Sequence, residues 1–109
     1  MAGAVTRGEV RLYRFARPDK QRPVVVLTRS SATAYLSAVT VAPVTSTIRS
    51  VPSEVCLTEA DGMKNPCAIN LHNVVTVSKA NLGRRLATLS PERMKEVCAA
   101  LGFALGCAS

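Results

Sequence analysis

Apolar residues along the chain occur in short runs that are separated by turn-forming residues. The clearest run is Val24-Val25-Val26-Leu27, which is too short for a helix and rich in valine, so it predicts a central buried strand. Several such runs with intervening turns are typical of a small β-barrel or sandwich. The strands predicted in this way cover residues 8–15, 23–28, 38–44, 54–57, 67–71, 74–77 and 85–89.

The pattern changes near the end of the chain, where apolar residues recur at steps of three and four. Ser90 suits the N-cap of a helix, Pro91 suits its first position, and Gly106 suits its C-cap. These signals predict a C-terminal helix that packs on the sheet. Shorter helical turns are predicted at residues 30–36 and 79–82. The apolar stripe predicted for the C-terminal helix consists of Met94, Val97, Cys98, Leu101 and Leu105.

Length and composition limit the class of protein. The chain has 109 residues, and we expect one domain that spans residues 1–109. A hydrophobic content of 48% with 19% charged residues is typical of a folded globule and not of a disordered chain. No apolar stretch is long enough to cross a bilayer, and the first residues lack the apolar block of a secretory signal. We therefore expect a cytoplasmic location.

The chain is strongly basic, with 14 Lys and Arg residues against 7 Asp and Glu residues and a net charge of +7. Such a charge favours polyanionic partners such as nucleic acid, acidic lipid or an acidic protein, although many small domains are basic without one. The uneven distribution of the charge favours a binding face over general solubility. The basic residues that crowd the first part of the chain are Arg7, Arg11, Arg14, Arg17, Lys20 and Arg22.

Metal and cofactor chemistry is not indicated by the sequence. The four cysteines form no C-x-x-C pair and His72 is the single histidine, so neither a zinc site nor a Ser-His-Asp triad is expected. The glycine-rich loops that bind nucleoside triphosphates or dinucleotides are also missing. We expect no metal and no cofactor, and we expect a structural role for His72 in the core or on the surface.

Two segments carry polar side chains where a loop meets a strand, which is where rigid scaffolds present functional groups. Arg22 precedes Pro23 and the valine-rich strand, whereas the Thr-Ser-Thr sequence at residues 45–47 follows a strand that contains Pro43. An arginine can hold a phosphate through two parallel hydrogen bonds, and a threonine hydroxyl can donate to one of its oxygens. On spacing alone, a solvated arginine and an ordinary turn are favoured over a phosphate site.

The order of these segments resembles the MazF/PemK family of toxin endoribonucleases from toxin–antitoxin pairs. The similarity runs from about residue 7 to residue 105, with every segment in the order of the family. The matching segments are Arg7-Gly8-Glu9-Val10, residues 21–27, residues 41–48, Pro52-Ser53-Glu54-Val55, Gly62-Met63, Val75-Thr76-Val77, Leu82 and Leu101-Gly102.

The resemblance implies a mainly β fold with a C-terminal helix, built as a compact, strongly curved SH3-like barrel and assembled as a homodimer. It implies metal-independent cleavage of single-stranded RNA, with Arg22 and Thr45 in the catalytic positions. It also implies an acidic antitoxin that covers the RNA groove. The residues expected to bind RNA are Arg17, Lys20, Gln21, Ser46, Thr47 and Arg49.

RNA carries its own nucleophile for this reaction, the 2′-hydroxyl beside each phosphate. Its attack leaves a 2′,3′-cyclic phosphate and a 5′-hydroxyl. A guanidinium ion stays protonated at neutral pH, so it is a poor base. We therefore expect Arg22 to stabilise the charge that grows on the phosphorus centre, while water or a phosphate oxygen moves the proton.

The loop at residues 16–21 is short and basic, and in this loop the chain departs from many members of the family. The cleavage motifs of other members therefore do not transfer to it. Only four aromatic residues are available for stacking on bases, so base recognition is expected to depend on polar groups. Two alternatives remain: a CcdB-like gyrase-poisoning toxin, which typically presents a tryptophan that this chain lacks, and a basic β-barrel that binds RNA without cutting it.

Overall fold

The computed structural model describes residues 4–14 and 21–107, which form mostly β-strands. The strands are β1 (Glu9–Arg14), β2 (Gln21–Val26), β3 (Ala38–Thr45), β4 (Glu54–Leu57), β5 (Cys67–Asn70), β6 (Val75–Ser78) and β7 (Leu82–Thr88). The helices are α1 (Ser30–Thr33) and α2 (Pro91–Leu105), with 3₁₀ turns at Glu59–Asp61, Leu71–Asn73 and Lys79–Asn81. The prediction of a mainly β fold with a C-terminal helix is confirmed, and each predicted strand overlaps an observed one.

The strands form one antiparallel sheet in the order β4-β5-β3-β2-β1-β7, and β6 pairs with the first half of β3. The sheet is not closed, because no ladder joins the two end strands, β4 and β7, in the described part of the chain. A Cβ atom on Gly62 would lie 3.1 Å from Ala87 of β7, so the segment after β4, and not β4 itself, lies against β7. The expected SH3-like barrel is therefore observed as an open sheet.

The central strands carry apolar side chains on both faces, which explains why their sequence does not alternate. Successive side chains of a strand point to opposite faces. In β2, Val24 and Val26 are buried in one cluster, and Val25 is buried in another. The first cluster also contains Val5, Val39, Val41 and Val77, and the second contains Val10, Ala42, Val44, Val55, Leu57, Ile69, Leu71 and Val97.

The C-terminal helix packs on the second of these clusters through a narrow stripe. Its N-cap is the predicted one, since Ser90 Oγ accepts a hydrogen bond from Arg93 N at 3.1 Å, and Gly106 ends it with a φ of 73°. Val97 and Ala100 are buried, whereas Leu105 is 60% exposed and Cys98 is also exposed. The prediction was wrong for these last two residues, because they lie about 80–100° around the helix from Val97.

Helix α2 has 15 residues. Among the helices of the described residues, none combines the length and the apolar character that a membrane span requires.

Candidate nucleic-acid interface

The pairing of β2 with β3 brings together the two polar segments that the sequence singled out. The ladder pairs Val24 with Pro43, Val25 with Ala42 and Val26 with Val41. The same register, continued by two residues beyond the last pair, would set Arg22 opposite Thr45, and both residues line the same grooves. Residues opposite each other in an antiparallel pair have side chains within contact distance on one face. Two positions that are distant in sequence therefore become neighbours at the end of the sheet.

Two adjacent grooves meet at this pair. The larger groove has a volume of about 620 Å³ and the smaller one about 270 Å³, and Arg22, Val44 and Thr45 line both of them. The larger groove continues along residues 62–67 and β7, and the smaller one continues along β3 toward β5. A ligand that follows both grooves would pass directly over Arg22 and Thr45.

The charge of the larger groove favours an anion. Its lining contains Arg22, Lys64 and Arg84 and no Asp or Glu from the described residues. The smaller groove contains Arg22 and Arg49 together with the carboxylate of Glu54. Cations with no nearby counter-charge attract phosphate groups. Groove walls of low dielectric constant strengthen the electric field of these cations.

The turn that follows β3 is ordered by the hydroxyl of Thr45. Thr45 Oγ1 accepts a hydrogen bond from Thr47 N at 3.1 Å, which leaves the hydroxyl hydrogen available to another acceptor. Thr45 is half-buried, whereas Ser46 and Thr47 are exposed. Ser46 lines the larger groove and Thr47 lines the smaller one. The three hydroxyls of the predicted segment are thus divided over both grooves.

A carboxylate on β4 holds the rest of this loop. Glu54 Oε1 accepts hydrogen bonds from the backbone N–H groups of Arg49 and Ser50, each at 3.0 Å. Ser50 has a φ of 57°, a conformation that residues other than glycine rarely adopt. The interaction with Glu54 fixes this strained backbone and sets Arg49 beside the smaller groove.

The other residues that the sequence singled out either line neither groove or lie outside the described residues. Gln21 is exposed on β2 and pairs with Arg14, but it lines neither groove. Arg17 and Lys20 lie outside the described residues. His72 is exposed in a 3₁₀ turn with its Nδ1 atom 2.6 Å from Ser53 Oγ, away from the lining of both grooves. This position agrees with the structural role expected for His72.

The expectation that the early basic residues form a single binding face was wrong for two of them. Arg11 Nη1 lies 2.9 Å from Glu9 Oε1, and Arg11 Nε donates to Gly83 O at 2.8 Å. Arg7 donates from Nε to Leu27 O at 3.2 Å and lies in a different groove with Arg29. Arg7 Nη2 also donates to Cys98 Sγ of α2 at 2.8 Å, so both guanidinium groups are engaged in contacts within the fold.

Several residues of the site were missed by sequence reasoning. They come from the start of β4, the 62–67 segment, the end of β5 with the 3₁₀ turn that follows it, and β7. Apart from Glu54, which lies in a segment that matches the family, no local motif marks them. Only strand pairing brings these segments to Arg22 and Thr45. The missed charged and amide residues that line the grooves are Lys64, Asn65, Arg84, Glu54, Asn70 and Asn73.

An ion pair connects the loop of the larger groove to α2. Arg93 Nε donates to Asp61 Oδ1 at 3.0 Å, and Asp61 Oδ2 accepts from Thr58 N at 2.9 Å. Burial alone would raise the pKa of the Asp61 carboxyl, but the hydrogen bonds from Arg93 and Thr58 outweigh it and lower that pKa. Gly62 follows directly with a φ of 90°, which starts the groove loop.

The thiol that lines the larger groove is not suited to nucleophilic attack. Burial of Cys67, together with the nearby Asp61 and Cys56, raises the pKa of its thiol, so the thiolate is disfavoured at neutral pH. Across residues 4–14 and 21–107, no three His, Cys, Asp or Glu side chains converge in a way that could hold a metal ion. The polar groups that line the grooves are therefore guanidinium, ammonium, hydroxyl and amide groups, with the carboxylate of Glu54 in the smaller groove.

Comparison with known proteins adds an independent line of evidence. Residues 6–105 match the family described as "PemK-like, MazF-like toxin of type II toxin-antitoxin system". A relative from Mycobacterium tuberculosis, named "Probable endoribonuclease MazF5", is 42% identical over 108 residues, which cover 98% of each chain. The resemblance on which the sequence analysis relied is thereby confirmed.

Solved structures agree with this assignment. The Mycobacterium tuberculosis toxin MazF-mt6 is 29% identical with a TM-score of 0.84, over 93% of this chain and 99% of that one. A mycobacterial endoribonuclease in complex with its cognate antitoxin has a TM-score of 0.88 at 24% identity, over 97% and 99% of the two chains, which shows the same fold. The family match over nearly the whole chain and the close mycobacterial relative together establish that this chain belongs to the PemK-like, MazF-like toxins of type II toxin–antitoxin systems.

Proposed function

We propose that this protein is an endoribonuclease that cleaves single-stranded RNA without a metal ion. The observation that carries the proposal is the position of Arg22 and Thr45, which line both grooves at the point where they meet. The name of the relative that is 42% identical supports the same activity. That name and the family description favour RNA cleavage over gyrase poisoning.

The proposed reaction uses the 2′-hydroxyl of the RNA as the nucleophile. A bond forms between O2′ and phosphorus while the bond from phosphorus to O5′ breaks, which leaves a 2′,3′-cyclic phosphate and a 5′-hydroxyl. The proton lost by O2′ passes to water or to a phosphate oxygen, and O5′ takes up a proton as it leaves. No redox or metal step is needed for the balance.

Arg22 and Thr45 have separate tasks in this reaction. None of the ion pairs between described residues involves the guanidinium of Arg22, which is exposed at the grooves and can donate to a phosphate. Thr45 keeps its hydroxyl hydrogen available because its oxygen already accepts from Thr47 N. Both groups stabilise the negative charge that develops on the phosphorus centre, an effect worth about 10²–10³ in rate for one donor.

The proposal includes the partners that the family implies. An acidic antitoxin segment would compete with RNA for the positive larger groove. A homodimer is supported by exposed apolar side chains on α2, where Phe103 is 56% and Leu105 is 60% exposed. A cytoplasmic location belongs to the same proposal, because that compartment contains the RNA and the partner.

One experiment tests the activity. Purified protein is incubated with a long single-stranded RNA in excess EDTA, and the ends of the products are analysed. We expect fragments with 2′,3′-cyclic phosphate and 5′-hydroxyl ends, and we expect R22A and T45A to lose the activity while keeping the circular dichroism of the parent protein. RNA that stays intact in a salt-sensitive complex would support the non-catalytic alternative, and intact RNA with stalled gyrase complexes would support the gyrase alternative.

A further inference from the structure

The two grooves differ in the chemistry that they offer to a nucleic acid. In the larger groove, Lys64 on the 62–67 segment and Arg84 on β7 are exposed, and neither forms an ion pair with a described residue. The smaller groove has two amide side chains, Asn70 and Asn73, beside Arg49 and the carboxylate of Glu54, whereas the larger groove has one amide, Asn65. Lysine and arginine bind phosphates, whereas an amide offers both donors and acceptors to a base edge.

One amide of the smaller groove, that of Asn70, is held in place by the chain around it. Asn70 Oδ1 accepts a hydrogen bond from His72 N at 3.2 Å, which orients the amide and leaves its NH₂ donors available. The carboxylate of Glu54 is engaged with the N–H groups of Arg49 and Ser50. A side chain held in this way loses little conformational entropy when it binds, which favours selection of one base.

We infer that the two grooves divide RNA recognition between them. The larger groove holds backbone phosphates through Lys64 and Arg84, and the smaller groove reads a base through Asn70 and Asn73. Phosphate contacts add affinity that is independent of sequence, and base contacts provide the specificity. The inference rests on the proposed function, since both grooves begin at Arg22 and Thr45 and would bind nucleotides on either side of the cleaved bond.

The first half of the inference, phosphate binding by Lys64 and Arg84, is tested by measuring the binding of an oligonucleotide that the proposed reaction cannot cleave. A labelled single-stranded oligodeoxynucleotide lacks the 2′-hydroxyl, so its affinity is measured by fluorescence anisotropy over a range of salt concentrations. The logarithm of the affinity decreases linearly with the logarithm of the salt concentration. For K64A/R84A we expect this slope to become less steep by about 1.4, since each phosphate contact on a single strand contributes about 0.7. An unchanged slope would overturn this half of the inference.

A matched control removes the same charge from elsewhere on the surface. Arg85 follows Arg84 on β7, but its Nη1 atom lies 3.9 Å from Glu9 Oε2, and Lys95 is exposed on α2. Neither residue lines a groove. We expect the slope for R85A/K95A to stay at the value of the parent protein. If the salt dependence became less steep by the same amount in both double variants, net charge and not the larger groove would decide binding. That result would overturn the assignment of phosphate binding to the larger groove.

The base-reading half is tested by sequencing the 5′ ends of RNA fragments. We expect N73A and N70D to change the base preference beside the cut by roughly tenfold, because a lost base contact alters discrimination. N70D keeps the oxygen that accepts from His72 N, so the turn is preserved. K64A/R84A should lower cleavage at all sites by a similar factor. The inference fails if the asparagine variants act uniformly or if K64A/R84A redistributes the cuts.

The two proposals can fail independently. If the parent protein leaves RNA intact in EDTA, the proposed function is wrong. The salt slopes on the oligodeoxynucleotide would still decide whether Lys64 and Arg84 bind phosphates, and the affinities of N73A and N70D for oligomers of each single base would decide whether the smaller groove discriminates between bases.

Discussion

Arg22 on β2 and Thr45 on β3 both line the larger and the smaller groove, at the point where the two grooves meet beyond the last β2–β3 pair. Their proximity depends on the register of that pairing. A slip by one residue would turn one of the two side chains to the opposite face of the sheet. The register is secured by Val24, Val25 and Val26, which are completely buried on the two faces of β2.

The charge and the shape of Arg22 can be separated by substitution. R22A should lower the rate of RNA cleavage by about 10²–10³, because it removes the donors that stabilise the reacting phosphate. R22K keeps a positive charge but cannot form two parallel hydrogen bonds, so we expect an intermediate rate. The measurement is the initial rate on a single-stranded RNA under saturating and limiting substrate. Full activity of R22A would contradict the role proposed for Arg22.

The hydroxyl of Thr45 is tested by two variants of similar size. T45S keeps the oxygen that accepts from Thr47 N and the hydrogen that can bind a phosphate, so it should retain most of the activity. T45V keeps the shape but loses both functions, so it should lose about as much activity as a missing oxyanion donor, about 10²–10³. Cleavage rates are compared with thermal melting curves, which separate a loss of chemistry from a loss of folding. Equal rates for the two variants would exclude a role of the hydroxyl.

Glu54 is expected to act on RNA indirectly, by ordering the loop after β3. E54A removes the acceptor for Arg49 N and Ser50 N, so the loop should become accessible to proteases. We expect a KM several-fold higher, together with new proteolytic cleavage between residues 46 and 50. E54Q keeps an oxygen acceptor and should lie between E54A and the parent protein. Cleavage kinetics that change without new protease sensitivity would argue for direct contact between Glu54 and RNA.

Acid should weaken the fold through Asp61. Its pKa in the folded protein is lowered below the ordinary value of 3.8, because the hydrogen bonds from Arg93 and Thr58 outweigh the effect of burial. The folded state therefore prefers the ionised carboxylate. This contribution to the free energy of unfolding is fully present above about pH 4 and is lost as the pH falls through the folded pKa.

Urea denaturation between pH 3 and pH 7 measures this contribution. We expect D61N to be less stable than the parent protein at pH 7, and the difference between the two should shrink as the pH falls below about 4. Glu59 lies in the same 3₁₀ turn and is exposed, so E59Q serves as the control and should leave the pH dependence unchanged. Parallel curves for D61N and the parent protein would refute the assignment of the acid-sensitive interaction to the Asp61–Arg93 pair.

Local sequence signals determined the type and order of the elements. The valine-rich run around Val25 predicted a buried strand, and Ser90, Pro91 and Gly106 predicted both ends of α2. Such signals act within a few residues of chain, through backbone preferences and capping hydrogen bonds. They are therefore readable without knowledge of the rest of the molecule. The resemblance to known toxins added Arg22 and Thr45 as a pair, which spacing alone left open.

Only the tertiary structure decided which distant side chains share the site. Lys64 and Arg84 reach the larger groove because the 62–67 segment and β7 line it together with the start of β2 and the end of β3. Arg11, in contrast, is engaged with Glu9 and Gly83 and is lost to any binding face. The packing of α2 through Val97 and Ala100 likewise left Cys98 exposed. Contacts between segments far apart in the chain depend on strand order and register, and no short stretch of sequence contains that information.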